Sequence, residues 1–229
     1  SGNATKLSGE ALRAMILRHA NVTGNAIISI DAASLIISDG DSQRRIDLAA
    51  LPRDAEGYVF RAEETYDPPT SPLDENGQGS PYAVFGYGAQ MMELTVDTRL
   101  GTIRLDHLSA AHDVGKAINP LLVEGQIEGG VAQGIGMALM EDFKPGRTEN
   151  LHDYLIPSIG DMPKVTSIIV EVPDLHGPYG AKGLGEHVLI PTAPAILNAI
   201  RDATGACVRH LPATPDKVMA ALHEVSGNG

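Results

Sequence analysis

Apolar positions recur at helical spacing between Ala4 and Ala20, where Leu7, Ala11, Ala14 and Met15 share a stripe that Lys6, Glu10 and Arg13 largely avoid. The pattern predicts a helix there. Asn25 to Asp31 and Leu35 to Ser38 are short runs rich in β-branched residues with polar breaks, and read as strands. Tyr66 to Pro81 has no apolar period and holds Pro68, Pro69, Pro72 and Pro81 among Asp, Asn, Gly and Ser, so it reads as an irregular connection. Beyond it, Gln90–Asp97 and Thr102–His107 alternate as two strands around the turn Thr98-Arg99-Leu100-Gly101. From Pro120 to Met140, Val123, Ile127, Val131 and Ile135 recur every fourth residue and predict the longest helix, buried along that face. Val165–Val172 reads as a strand ended by Pro173. Thr192 is the expected N-cap of a helix that buries Ile196, Leu197 and Ile200 and ends at Gly205. Ala206–His210 reads as a further strand, and Thr214-Pro215-Asp216 as the start of a last helix.

Strands and helices do not alternate strictly, so the expected class is α+β in layers and not a doubly wound parallel sheet. The expected division is residues 1–85, a helix with strands and the Pro-rich connection, and residues 86–229, which carry the Gly-rich motifs.

The 229 residues can enclose a core, and 43% hydrophobic with 20% charged residues is ordinary for a folded chain. A net charge of −12 argues against nucleic-acid or anionic-membrane partners, which need a basic footprint. The single Cys207 excludes an internal disulfide and a Cys-ligated iron–sulfur cluster held by this chain alone. No run nears the roughly 18 apolar residues of a membrane span. No signal-peptide pattern is present, and the expected compartment is the cytoplasm.

Two Gly-rich segments carry the candidate chemistry. Gly180-Ala181-Lys182-Gly183-Leu184-Gly185-Glu186 spaces its glycines as G-x-x-G-x-G, neither the dinucleotide fingerprint nor a P-loop. It is either a tight turn before a helix or a loop whose backbone runs close to a ligand, with Glu186 at its end. The expected helix from Pro120 contains five glycines, at 125, 129, 130, 134 and 136, each costing up to about 1 kcal/mol relative to Ala. Close helix packing accounts for most of them. Approach of the helix N-terminus to an anionic group, with Gln126 facing the ligand, is the functional alternative. His107 and His112 lack metal-ligand spacing, Asp113 reads as a local cap, and Cys207 as a buried thiol in its strand.

These segments, with Asp113-Val114-Gly115-Lys116-Ala117-Ile118-Asn119-Pro120, Asp153-Tyr154-Leu155-Ile156-Pro157 and Asp161-Met162-Pro163, occur in an order and spacing that resemble the molybdenum-binding subunit of the xanthine dehydrogenase and aldehyde oxidase family. The resemblance is strong from about Gln90 to Leu222 and looser towards Ser1. It implies a layered molybdopterin-binding domain and, residue by residue, a catalytic general base at Glu186 that deprotonates the oxygen nucleophile at molybdenum. It implies cofactor contacts from Gln126, Lys182, Gly183, Leu184 and Gly185, with no side chain of this chain ligating the metal. The implied reaction hydroxylates an aldehyde or an N-heterocycle, a small-molecule substrate, with oxygen from water.

Subunits of that family are far longer than 229 residues, and several of their motifs lie upstream of the part matched here. The resemblance therefore implies the C-terminal portion of such a subunit, whether truncated, processed or naturally split. It further implies molybdenum–molybdopterin, as the cytosine dinucleotide, and iron–sulfur and FAD centres on partner chains or domains beside the upstream half. A different class of reading keeps the chain as a non-catalytic assembly module of such a complex, its Gly-rich helices only packing on a partner.

Overall fold

A computed structural model describes residues 1–227 and divides the chain into two units, Ser1–Pro81 and the part from Tyr82 onward. In the first, helix α1 (Gly2–His19) precedes strands β1 (Ile27–Asp31), β2 (Ser34–Asp39) and β3 (Ser42–Asp47), which form an antiparallel sheet in the order β1-β2-β3. Its core is small: Ile16 and Leu17 of α1 and Ala20 just after it join Ala26, Leu35 and Ile37. The helix and the first two strands follow the sequence pattern. The strand β3 does not, because Ser42-Gln43-Arg44-Arg45-Ile46-Asp47 is mostly exposed; pairing to β2, polar contacts of Arg44 and Arg45, and Ile46 against the core hold it. The Pro-rich stretch 66–81 contains no helix or strand, as its lack of period predicted. Its one ordered turn closes on Asp74, whose Oδ1 accepts from the amides of Asn76 and Gln78.

In the second unit, β4 (Gly88–Asp97) and β5 (Thr102–Asp113) form a hairpin, and β6 (Lys164–Val170) adds parallel to β5. Asp97 Oδ1 accepts from the amides of Arg99 and Leu100, and Gly101 takes φ +70, which closes the expected turn. The strand β5 runs six residues past the expected end, to Asp113. Helix α2 (Pro120–Leu139) connects β5 to β6, with Asn119 Oδ1 accepting from the Leu122 amide at its start. Helices α3 (Thr192–Thr204) and α4 (Pro215–Gly227) follow, α3 ending on Gly205 at φ +75. Ile127, Val131 and Ile135 of α2 and Ile196 and Ile200 of α3 are fully buried with Leu108 and Ala110 of β5 and Val188. Val123 and Leu197 are partly buried at the edge of the same core. Helices packed on a mixed sheet make this an α+β layered fold.

Three sequence expectations fail here. Ala206–His210 forms no strand, because no neighbouring strand offers it a ladder, and its one fully buried residue is Ala206. Cys207 is consequently exposed and not a buried thiol. Thr192 is not the N-cap of α3. Pro191 holds that position, while the Thr192 hydroxyl turns inward and donates to Gln90 Oε1 at 2.8 Å.

Candidate functional site

The Gly-rich loop is tied to the end of β5 from several sides. Lys116 N donates to Gly180 O at 2.8 Å and Lys182 N to Val114 O at 2.9 Å, bridging Gly115 and Ala181. Gly115 is required there: its φ is +65, and a Cβ would run into Gly180 O. Across this bridge Lys182 Nζ meets Asp113 Oδ2 at 2.6 Å, with both side chains more than nine-tenths buried. Asp113 Oδ1 accepts from Gly115 N at 2.9 Å, the local cap that the sequence suggested. Burial alone would raise the Asp113 pKa. The Lys182 ammonium and the Gly115 and Val172 amides outweigh it and hold the carboxyl below its ordinary range.

After this anchor the chain passes Gly183, Leu184 and Gly185 into a single 3-10 turn, Glu186–Val188. Val188 is fully buried against α2, where a Cβ on Gly130 would lie 2.8 Å from Val188 Cβ. A Cβ on Gly134 would collide with Thr192. A Cβ on Gly136 would meet the Glu141 carboxylate and Pro157, so three of the five helix glycines serve close packing. Gly125 and Gly129 have open space where a Cβ would stand. That open side of α2 is one wall of a cleft of about 820 Å³, lined by Gln126, Gly129, Gly130, Ala132, Gln133 and Met137. Gly185, Glu186 and Leu189 form another stretch of wall, and Glu141, Ile156 and Pro157 complete it.

Of the residues singled out in the sequence, Gln126, Gly185 and Glu186 thus meet in one cleft, and a Cβ on Gly185 would stand 3.8 Å from Gln126 Oε1. Glu186 is exposed on the cleft wall, and no hydrogen bond or ion pair among the described residues engages its carboxylate. Lys182, Gly183 and Leu184 do not line the cleft. The Lys182 ammonium is committed to Asp113, Leu184 packs on the core, and Gly183 O faces the His187 ring. Sequence reasoning missed Gln133, Met137 and Glu141. The first two stand seven and eleven residues after Gln126, a helical spacing that signals a shared face. Glu141 lies beyond the helix and is fixed by Tyr154, whose hydroxyl donates to Glu141 Oε2 at 2.6 Å and is thereby pushed above its usual pKa.

The cleft has the size of small-molecule sites. Its polar lining is two neutral amides, two carboxylates and backbone, with no Lys or Arg. Such a wall suits the amide-like hydrogen-bonding edges of a pterin, and Gly129, with open space at its Cβ position, admits a ring close to the backbone. It does not suit a pyrophosphate, whose charge this chain's cleft residues cannot meet. No group of three or more His, Cys, Asp or Glu able to hold a metal exists among the described residues.

Comparison with known proteins accords with that chemistry. Residues 1–163 match the family model of the molybdopterin cofactor-binding domain, and the chain belongs to that family. Its relatives are molybdenum-binding subunits of the xanthine dehydrogenase and aldehyde oxidoreductase type. A probable hypoxanthine oxidase of Escherichia coli (strain K12) is 34% identical over 98% of this chain and 23% of its own length. An aldehyde oxidoreductase of Megalodesulfovibrio gigas is 42% identical over 64% of the chain and 16% of its own length. Among solved structures, the aldehyde oxidoreductase of Desulfovibrio gigas superposes with a TM-score of 0.69 at 38% identity, covering 74% of this chain and 19% of that one. CO dehydrogenase from Oligotropha carboxidovorans, at 21% identity and a TM-score of 0.71, shares the fold over the whole chain and 29% of its own. The chain spans about a fifth of the length of the curated relatives it matches. The loop from Gly180 to Glu186 lies beyond the residues matched by the family model.

Proposed function

We propose that this chain supplies one wall of the active-site cleft of a molybdenum hydroxylase, as the C-terminal portion of its molybdenum-binding subunit. The observation that carries this reading is the placement of an unengaged carboxylate, Glu186, in the same cleft as the Gln126 amide. When bound, molybdopterin with its metal supplies the two-electron oxidation. Glu186 accepts the proton released from water-derived oxygen as an aldehyde or N-heterocycle is hydroxylated. An ionised carboxylate is acceptor-only and suits that task once a substrate and the facing wall exclude water around it. Gln126 and the Gly185 backbone orient the pterin as neutral hydrogen-bonding groups, and Gly183 and Leu184 shape the loop behind them. Lys182 serves the cofactor through its loop and not through its ammonium. The charged part of the cofactor, in the cytosine dinucleotide form, falls to residues of the upstream half. Iron–sulfur and FAD centres sit on partner chains or domains. The cytoplasm is the proposed compartment, and no helix among the described residues is long and apolar enough to cross a membrane.

The test is Glu186→Gln in the complete subunit. It preserves shape and removes the proton acceptor, so turnover should fall by about 10²–10⁴-fold at unchanged molybdenum content. Gln126→Ala should instead lower metal and pterin occupancy. Retention of more than about a tenth of wild-type turnover by Glu186→Gln at full metal loading overturns the base assignment. A complex that carries no molybdenum at all favours the assembly-module reading.

A further inference from the structure

Directly after Glu186 stands His187, whose role neither the cleft nor the core explains. Its Nδ1 lies 3.0 Å from Gly183 O. A carbonyl can only accept, so Nδ1 carries the proton and His187 Nε2 is a bare acceptor, buried and without a partner among the described residues. Opposite, at 5.1 Å between ring centres and tilted by 46°, lies His112 of β5, which is fully buried.

The His112 tautomer is set from its other side. Gln90 accepts from the Thr192 hydroxyl at Oε1, so its amide nitrogen is free to donate to Val188 O at 2.9 Å and to His112 Nε2 at 3.1 Å. The proton of His112 is therefore on Nδ1, which is also buried and unpartnered. The two orphaned nitrogens are thus one donor and one acceptor, complementary in kind. The opposite His187 tautomer would set two acceptors, Nδ1 and Gly183 O, against each other. Only glycine admits the two rings here. A Cβ on Gly86 would stand 2.9 Å from His187 Nδ1, and one on Gly88 would stand 2.6 Å from His112 Nδ1.

The loop is anchored at Lys182, Leu184 and Val188, and its two intervening glycines have few neighbours. Where a Cβ on Gly183 would stand, nothing lies within 4 Å, and at Gly185 only Gln126 comes near. We propose that His187 is a positioning residue for Glu186, its Nδ1–H clipping Gly183 O so that the Gly183–Gly185 loop and the turn bearing the carboxylate hold one shape. Gly183 O fixes the His187 tautomer, and Thr192 and Gln90 fix that of His112, the ring beside it. The positioning role rests on the proposed assignment of Glu186 as base. The clip itself does not.

Two measurements on the complete subunit in its complex separate those claims. The first is hydrogen–deuterium exchange, by mass spectrometry, of the peptide containing residues 183–189. The second is kcat and KM at measured molybdenum content. His187→Phe keeps a ring and loses the donor. Loop exchange should rise by about 10-fold, the weight of one such hydrogen bond, and kcat should fall by a similar factor with KM and metal unchanged. His187→Asn places an amide N–H near the position of Nδ1 and should restore both towards wild type. Unchanged exchange in His187→Phe overturns the clip, as does failure of His187→Asn to recover. If the exchange pattern is as expected and Glu186→Gln keeps its turnover, the clip stands and the base assignment falls.

Discussion

Asp113 shows what a single residue does when its two oxygens have different tasks. One caps the Gly115 turn and the other holds Lys182, 69 residues away in sequence. The local cap is readable in the sequence, since Asp two residues before a Gly amide is a turn device. The ion pair is not, because it exists only once the Gly-rich loop folds back. Breaking it from one side leaves a charge buried alone. Lys182→Met should therefore cost about 3–5 kcal/mol, and the double variant with Asp113→Asn clearly less than the two single losses summed. Denaturant unfolding of all three variants decides this. His112 offers a second residue-scale test. Burial, with a smaller contribution from His187, lowers its pKa from 6.5 to about 4. The folded state thus resists a proton that the unfolded chain accepts. This contribution to stability is fully present above pH 6.5 and is lost as pH falls from 6.5 towards 4. His112→Leu should flatten unfolding free energy across that window. A slope that survives the substitution assigns it to other groups.

At the scale of elements, α2 was legible because its buried positions repeat every fourth residue and its helix opens with Asn119 and Pro120. Periodicity reports burial, not pairing. It therefore missed β3, an exposed edge strand, and invented a strand at Ala206–His210 from apolar composition. The glycines of α2 show the same divide. Their number announced a close approach, yet only the structure sorts Gly130 and Gly134, packed on Val188 and Thr192, from Gly125 and Gly129, which face open space. The sorting has opposite consequences. Gly134→Ala should destabilise by about 1–3 kcal/mol, since its Cβ meets Thr192 and the core must shift. Gly125→Ala meets nothing and should stabilise by up to about 1 kcal/mol through helix propensity. Thermal unfolding of the pair should show shifts of opposite sign. Shifts of the same sign would contradict the assignment of the two faces.

At the scale of the whole chain, what stands out is how much apolar surface the part from Tyr82 onward leaves open. Ile118, Leu121 and Leu122 are exposed around the start of α2, Leu155 and Ile156 beside the cleft, and Ile159 and Leu175 are 96% and 97% exposed. Scattered exposed hydrophobics are normal in any protein, whereas adjacent pairs such as Leu121-Leu122 and Leu155-Ile156 are the kind of surface that interfaces use. The chain covers only 19% and 16% of the length of two such relatives, and in the proposed assembly the upstream half of the subunit lies over this surface. Net charge −12 opposes random clumping at low ionic strength and weakens as salt screens it. The 229-residue chain expressed by itself should therefore bind an apolar fluorescent dye. In sedimentation it should self-associate increasingly as salt rises, because screening removes the repulsion and leaves the apolar attraction. Co-expression with the remaining part of the subunit should abolish both signals together. A monomer at high salt with no dye binding would show that these side chains are not an interface, and would remove the physical reason for expecting the upstream half on this face.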